Sequence, residues 1–325
     1  MRRLLLAATL GLAPVGALAS FSKGDAGTSS GQFLKLGADA RSAGMGNAVR
    51  ASAEDANAVY WNPAGLASLK VRHATLSHGA YYQSVFYDFI AYGQPVKSVL
   101  GRSERERELR TNQLGAFAVG LLYLNAGKLS EVDNTGTVTG TTFTPQDFAF
   151  MAGWGSSLTR SLDLGASFKY ISSRIRGSAS TGAVDLGARM KLHVFDLPYA
   201  AAFTVQNIGG RLKFVDQADP LPLAVSIGQS LRLAKRWMVN LDLVAPKDNG
   251  LYPAFGTEFR LPLEANVFGA LRLGYDGRTS AADLSGLTGL TFGGGIGVSR
   301  FAFDYAWAPY GLLGDAHRLS LSYRF

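Results

Sequence analysis

Residues 316–325 read AHRLSLSYRF, and their spacing decides the fold. His317, Leu319, Leu321, Tyr323 and Phe325 share one parity, while Arg318, Ser320, Ser322 and Arg324 share the other. This is the period of two with which a β-strand distributes side chains between its faces. One face suits a greasy neighbour and the other suits water. A soluble sheet with one buried face gives the same pattern, so recurrence along the chain has to choose between the two.

The pattern recurs from Lys70 onward. In residues 160–171, RSLDLGASFKYI, the side chains of Leu162, Leu164, Ala166, Phe168 and Tyr170 oppose Asp163, Gly165, Ser167 and Lys169. In residues 183–194, AVDLGARMKLHV, an apolar parity from Val184 to Val194 opposes Asp185, Gly187, Arg189, Lys191 and His193. Residues 301–309, FAFDYAWAP, set Phe301, Phe303, Tyr305 and Trp307 against Ala302, Asp304 and Ala306. Strand centres fall near residues 75, 89, 118, 152, 167, 187, 203, 227, 241, 256, 271, 292, 304 and 320, which makes fourteen.

Connections between these centres alternate in length, as a membrane barrel with both ends in the periplasm requires. Long outward loops are expected at residues 125–145, 209–221, 277–286 and 309–315, and short inward turns at 159–161, 195–198, 234–236 and 299–300. The exception is 96–112, on the inward side, where residues 101–112 read GRSERERELRTN. Its Glu106 and Arg110 have the spacing of a short exposed helix. It reads as a solvated mixed-charge loop, with docking of a periplasmic partner as the functional alternative.

Composition agrees. Glycine supplies 39 of 325 residues, above the usual share of about 7%. Charged residues are only 17% and aromatics 11%, a strand-and-turn balance. The formal charge of +8 is scattered through alternating segments and forms no basic stripe, so nucleic acid is not an expected partner. Without cysteine there is no disulfide, thiolate metal site or thiol nucleophile.

Residues 1–19 have the layout of a signal peptide: Arg2 and Arg3, an apolar run from Leu4 to Leu12, and Ala17-Leu18-Ala19 before the cut. A soluble β-sandwich explains the strands but not export together with a charged alternate face. In a membrane barrel every backbone group is paired between strands, lipid meets the apolar parity, and the lumen takes charges such as Asp163, Lys169, Asp185, Arg189, Asp242, Glu258, Arg260 and Arg272. The expected fold is therefore all-β: a transmembrane antiparallel β-barrel of about 14 strands over residues 70–325. Leu164→Arg is expected to place charge in hydrocarbon, and Ser167→Arg to be milder if the lumen has room.

Residues 20–69 lack the period of two and read as short helices joined by glycine-rich turns. Ser30 is placed to cap one helix, and Ser52 with Asp55 has capping-box-like spacing for another. Asn62-Pro63 must end the latter, since a residue before proline avoids the helical region. Some fifty residues are too few to bury a core alone, so this segment is expected inside the barrel as a small N-terminal helical hatch.

Within it, GQFLKLGADARSAGMGNA and EDANAVYWNPAGLASL (residues 31–69) resemble the amino-terminal signature of the PorV/PorQ family of outer-membrane proteins, which is related to FadL-type fourteen-stranded barrels. The resemblance implies that Asn62, Pro63, Ala64 and Gly65 belong to a hatch motif. It also implies one of two roles: uptake of a hydrophobic small molecule, or service as an accessory in type IX-like protein secretion with secreted protein as cargo. The terminal aromatics Tyr323 and Phe325 resemble the signal read by barrel-assembly machinery. Outer-membrane lipid is the expected surroundings, in a Gram-negative-type bacterium.

Other motifs have plain readings. GMGNAV (44–49) and GGGIG (293–297) lack the strand–GxGxxG–helix arrangement of a phosphate loop. The first reads as a hatch turn, and the second as a strand thinned where hatch or ligand comes close. His73, His78, His193 and His317 have no metal-ligand spacing, and no catalytic constellation emerges, so no cofactor, metal or enzyme activity is expected.

Overall fold

A computed structural model describes residues 24, 26–96, 114–279 and 287–325. Residues 1–19 and the charged stretch 101–112 lie outside the described residues, as does most of 277–286. The strands run β1 (His73–Ala80), β2 (Phe86–Pro95), β3 (Ala116–Asn125), β4 (Leu129–Val132), β5 (Val138–Phe143), β6 (Gln146–Ser157), β7 (Leu162–Arg174), β8 (Ser178–Val194) and β9 (Leu197–Gly209). They continue with β10 (Arg211–Lys213), β11 (Ala218–Pro220), β12 (Ala224–Ala234), β13 (Trp237–Pro246), β14 (Tyr252–Glu264), β15 (Val267–Asp276), β16 (Leu290–Val298), β17 (Phe301–Pro309) and β18 (Asp315–Arg324). Fourteen of them form a closed antiparallel barrel, and β4–β5 and β10–β11 are separate two-stranded hairpins.

Closure is made by β18 against β1, in a register that sets Ser320 opposite Ser77. Each expected strand centre falls inside its strand. The two hairpins were not expected. They rise from the outward loops, and β5, VTGTTF, lies almost wholly exposed, with no buried face to impose an apolar parity.

The faces divide as the parity requires. Phe168, Leu186, Leu271 and Phe303 project outward, while Asp163, Asp185, Arg189 and Asp242 are buried inside. One sector departs from the charged-lumen expectation. On β2, β3, β6 and β7 the inward residues include Tyr87, Phe89, Leu122, Met151 and Ile171, and they join the main hydrophobic cluster. The reason is their partner: Val59, Tyr60 and Trp61 of the N-terminal segment belong to that cluster too.

The segment itself is a string of single turns. A 3-10 turn at Gln32–Lys35 is followed by α1 (Ala40–Ala43), α2 (Ala58–Trp61) and a 3-10 helix at Pro63–Ser68. Two expected caps are corrected. Ser30 caps nothing; its hydroxyl donates to the carbonyls of Asp219 and Pro220. Ser52 accepts from the Asn240 amide, and Asp55 binds the Asn57 N–H, while the capping box belongs to Asp39 and Ser42 on α1. Ser30 found its partners in the β10–β11 hairpin and Ser52 in the wall, which sequence spacing cannot register.

Candidate functional site in the barrel lumen

Asn62 ends α2 in an extended conformation, and Pro63 starts the next helix at its N-terminus, where a missing N–H costs nothing. The fully buried Asn62 side chain works in two directions. Its Oδ1 accepts from Ala64 N at 3.1 Å, and its Nδ2 donates to the Arg50 carbonyl at 2.9 Å. Gly65 N donates to Asn62 O at 2.9 Å. Asn62, Pro63, Ala64 and Gly65 thus form one buried turn that also pins the chain at Arg50.

The wall receives this turn on glycines. A Cβ at Gly187 would overlap Asn62 Oδ1, and one at Gly165 would overlap the Pro63 carbonyl and Ala64 N. Across the lumen Gly256 and Gly274 receive Met45 and Gly46 in the same way. GMGNAV is a turn there, with Gly46 and Asn47 both at φ 60°. GGGIG also meets its expectation: a Cβ at Gly293 would lie 3.0 Å from the Gly44 Cα. Val59 presses on Gly120 of β3 and Gly153 of β6, whereas Met45 presses on β14 and β15. In the strand ring β3 and β14 are diametrically opposed, so the segment bridges the lumen from wall to wall.

Buried charge completes the attachment. Charges that parity places inside pair within the wall: Lys169–Asp185 at 2.7 Å, Arg189–Asp163 at 3.0 Å and Arg272–Glu258 at 2.8 Å. The segment adds partners that parity did not reveal, namely Arg41 to Glu258 (2.8 Å), Arg50 to Asp242 (3.1 Å) and Glu54 to Arg189 (3.0 Å). Removing one member of such a pair strands the other, at about 3–5 kcal/mol when both are buried.

Within the segment, Asp39 accepts from Ser42 N at 2.7 Å and also binds the Asn57 amide, tying α1 to α2. Burial, reinforced by Asp55, pushes its carboxyl above the usual range. Tyr60 donates to the Leu34 carbonyl at 2.7 Å, and burial pushes its hydroxyl up to about 12.

At the loop end, Asp248 takes Lys35 Nζ at 2.6 Å and Gln32 Nε2 at 2.6 Å. Burial alone would raise this carboxyl, but the hydrogen bonds from Lys35 and Gln32 outweigh it and hold it below its ordinary value.

Tyr323 and Phe325 lie elsewhere, at the end where β1 begins and β18 finishes. Their rings meet edge to face at 4.8 Å; Tyr323 packs on Phe301 at 4.7 Å, and the Arg72 guanidinium covers Phe325 at 5.2 Å. The histidines are dispersed: His78 pairs with Asp88 at 2.6 Å and His317 with the Tyr305 hydroxyl at 2.7 Å.

A closed fourteen-strand barrel with an apolar exterior, a charged interior and an N-terminal segment across its lumen defines an outer-membrane β-barrel protein of FadL-like fold. Residues 22–236 match the family model for type IX secretion system protein PorV. The chain belongs to the PorV family. No curated protein matches it.

Solved structures share the fold at low identity. A Pseudomonas aeruginosa FadL homologue is 9% identical, with 89% of this chain and 98% of that one covered and a TM-score of 0.55. The Pseudomonas putida toluene transporter TodX is 13% identical over 89% and 98%, with a TM-score of 0.57. The Ralstonia pickettii toluene transporter TbuX is 14% identical over the same shares, with a TM-score of 0.54.

Proposed function

We propose that this barrel is an uptake channel for hydrophobic small molecules, with residues 20–69 as its hatch and Asn62-Pro63-Ala64-Gly65 as the lock. The supporting observation is the apolar inner sector of β2, β3, β6 and β7, which a water-filled pore would not need and which Val59, Tyr60 and Trp61 cover. Movement of the hatch would uncover an apolar track. The toluene transporters of like fold make aromatic hydrocarbons natural first substrates to try. On this reading residues 1–19 are removed on export, and barrel-assembly machinery reads Tyr323 and Phe325.

The experiment is the double variant Asn62→Ala with Pro63→Gly. It should leave the heat-modifiable barrel intact, raise permeability in reconstituted bilayers, and change uptake of hydrophobic substrates more than that of small sugars. The PorV family match favours a second reading, a secretion accessory that handles protein cargo. If conductance and uptake stay at wild-type levels while cargo at the cell surface declines, the second reading replaces the first.

A further inference from the structure

The periplasmic end of the lumen, identified by its short turns and the two ends of the strand ring, contains a cavity of about 340 Å³. Five cationic side chains line it, Arg41, Lys70, Arg232, Arg260 and Arg324, against the carboxylates of Glu54 and Asp55. They converge from separate elements: the N-terminal segment, the link to β1, and strands β12, β14 and β18. Some are engaged, with Arg41 and Arg260 on Glu258 at 2.8 and 2.9 Å and Arg232 on Glu54 at 3.2 Å. Among the described residues, Lys70 and Arg324 have no carboxylate partner. A second cavity shares Arg41, Asp55, Arg260 and Arg324 and adds Arg300 together with Arg272, which Asp304 holds at 2.8 Å, so Arg300 carries the positive excess across the mouth.

Low-dielectric walls focus the field of such a cluster and concentrate anions within it. A carboxylate, with two oxygens, satisfies one guanidinium fork. A phosphate group, with three or more acceptor oxygens and a charge of about −1.5 to −2 as a monoester, meets cations arriving from several sides. We propose that this vestibule binds a phosphate group, with Lys70 and Arg324 as its free contacts and Arg41 and Arg260 beside them. The group arrives either on a free solute or as the monoester headgroup of phosphatidic acid at the rim, where Arg324 adjoins Phe325. The inference does not depend on what the barrel carries.

The test titrates the full-length protein in neutral detergent with inorganic phosphate, against chloride at matched ionic strength, by calorimetry. In parallel the protein is placed in phosphatidylcholine vesicles with and without phosphatidic acid, and lipid retained through purification is quantified. Saturable phosphate binding, weakened about tenfold or more in Lys70→Gln/Arg324→Gln, supports a free-solute site. Selective retention of phosphatidic acid, lost in the same variant, supports a headgroup site. Phosphate heats equal to chloride together with no lipid preference overturn the proposal, as does unchanged binding in the double variant. Should that variant fail to assemble, Lys70→Gln alone, outside the strands, must weaken binding by about threefold or the proposal falls.

Discussion

Gly165 and Gly294 are both wall glycines, yet they stand in opposite situations. Gly165 points inward on β7, where a methyl would strike the backbone of Pro63 and Ala64; Gly294 points outward on β16, with its nearest neighbour, the Ala270 carbonyl, 4.0 Å from a Cβ. Backbone on both sides cannot yield, so Gly165→Ala should destabilise by about 1–3 kcal/mol through overpacking, with Gly294→Ala near neutral. The temperature at which the barrel loses heat-modifiable mobility reads both, and equal shifts would sink the idea that wall glycines are sockets. Charge on the outer face should cost by depth. Leu164 lies two residues inside β7, near the rim, whereas Phe168 is mid-strand. Phe168→Arg should therefore cost about 2–4 kcal/mol and Leu164→Arg about 0–1 kcal/mol, a gradient that unfolding titrations in detergent would detect. Ser167→Arg is no mild control: Ser167 is 3% exposed, and both it and Val59 lie 3.0 Å from a Cβ at Gly153, so the lumen has no room.

The 3-10 turn Gln32–Lys35 is held to the loop after β13 by Asp248, and this attachment should be acid-sensitive. The folded-state carboxyl titrates below its ordinary value, so the tether contributes fully above about pH 4 and is lost as pH falls through the folded value. Because the chain has no cysteine, Ser30→Cys takes a single spin label. Its spectrum should stay immobile at neutral pH and become mobile in acid, whereas Asp248→Asn should give the mobile spectrum throughout; an acid step surviving in that variant would refute the tether. The same element shows how far sequence reading reaches. Strand parity put Asp163, Lys169, Asp185 and Arg189 on one luminal face, and the β7–β8 register then pairs them, Asp163 directly opposite Arg189 and Lys169 diagonally with Asp185, two positions beyond its direct partner Ala183. No period links Arg41 to Glu258 or Arg50 to Asp242, which are 217 and 192 residues apart. On β2, β3 and β6, and at Ile171 of β7, alternation weakened because the inward face meets an apolar segment instead of water. The Asn-Pro turn was legible from backbone rules alone, but its glycine sockets were visible only as an unexplained excess of inward glycine.

At the scale of the whole molecule, the wall and the luminal segment depend on each other unequally. Each barrel strand is hydrogen-bonded to neighbours on both sides, and closure through β1 and β18 leaves no edge, so the ring needs no luminal partner for its backbone. The segment, by contrast, is a string of single turns whose buried residues Met45, Val59 and Leu66 are covered by the wall. Deleting residues 20–69 should accordingly leave a heat-modifiable barrel. Water entering the emptied lumen would solvate Asp242, the carboxylate that Arg50 now neutralises, while Glu258 would lose Arg41 but keep Arg260 and Arg272 of the wall. Planar-bilayer recordings should show a large ohmic conductance absent from the intact protein, with preference for anions because Arg232, Arg260 and Arg324 remain at the periplasmic mouth. A high conductance without anion preference would mean that the mouth does not control permeation. Failure of the shortened chain to assemble, with heat-modifiable mobility lost in detergent, would show that the segment is a core on which the wall is built, and the division into barrel and hatch would be wrong.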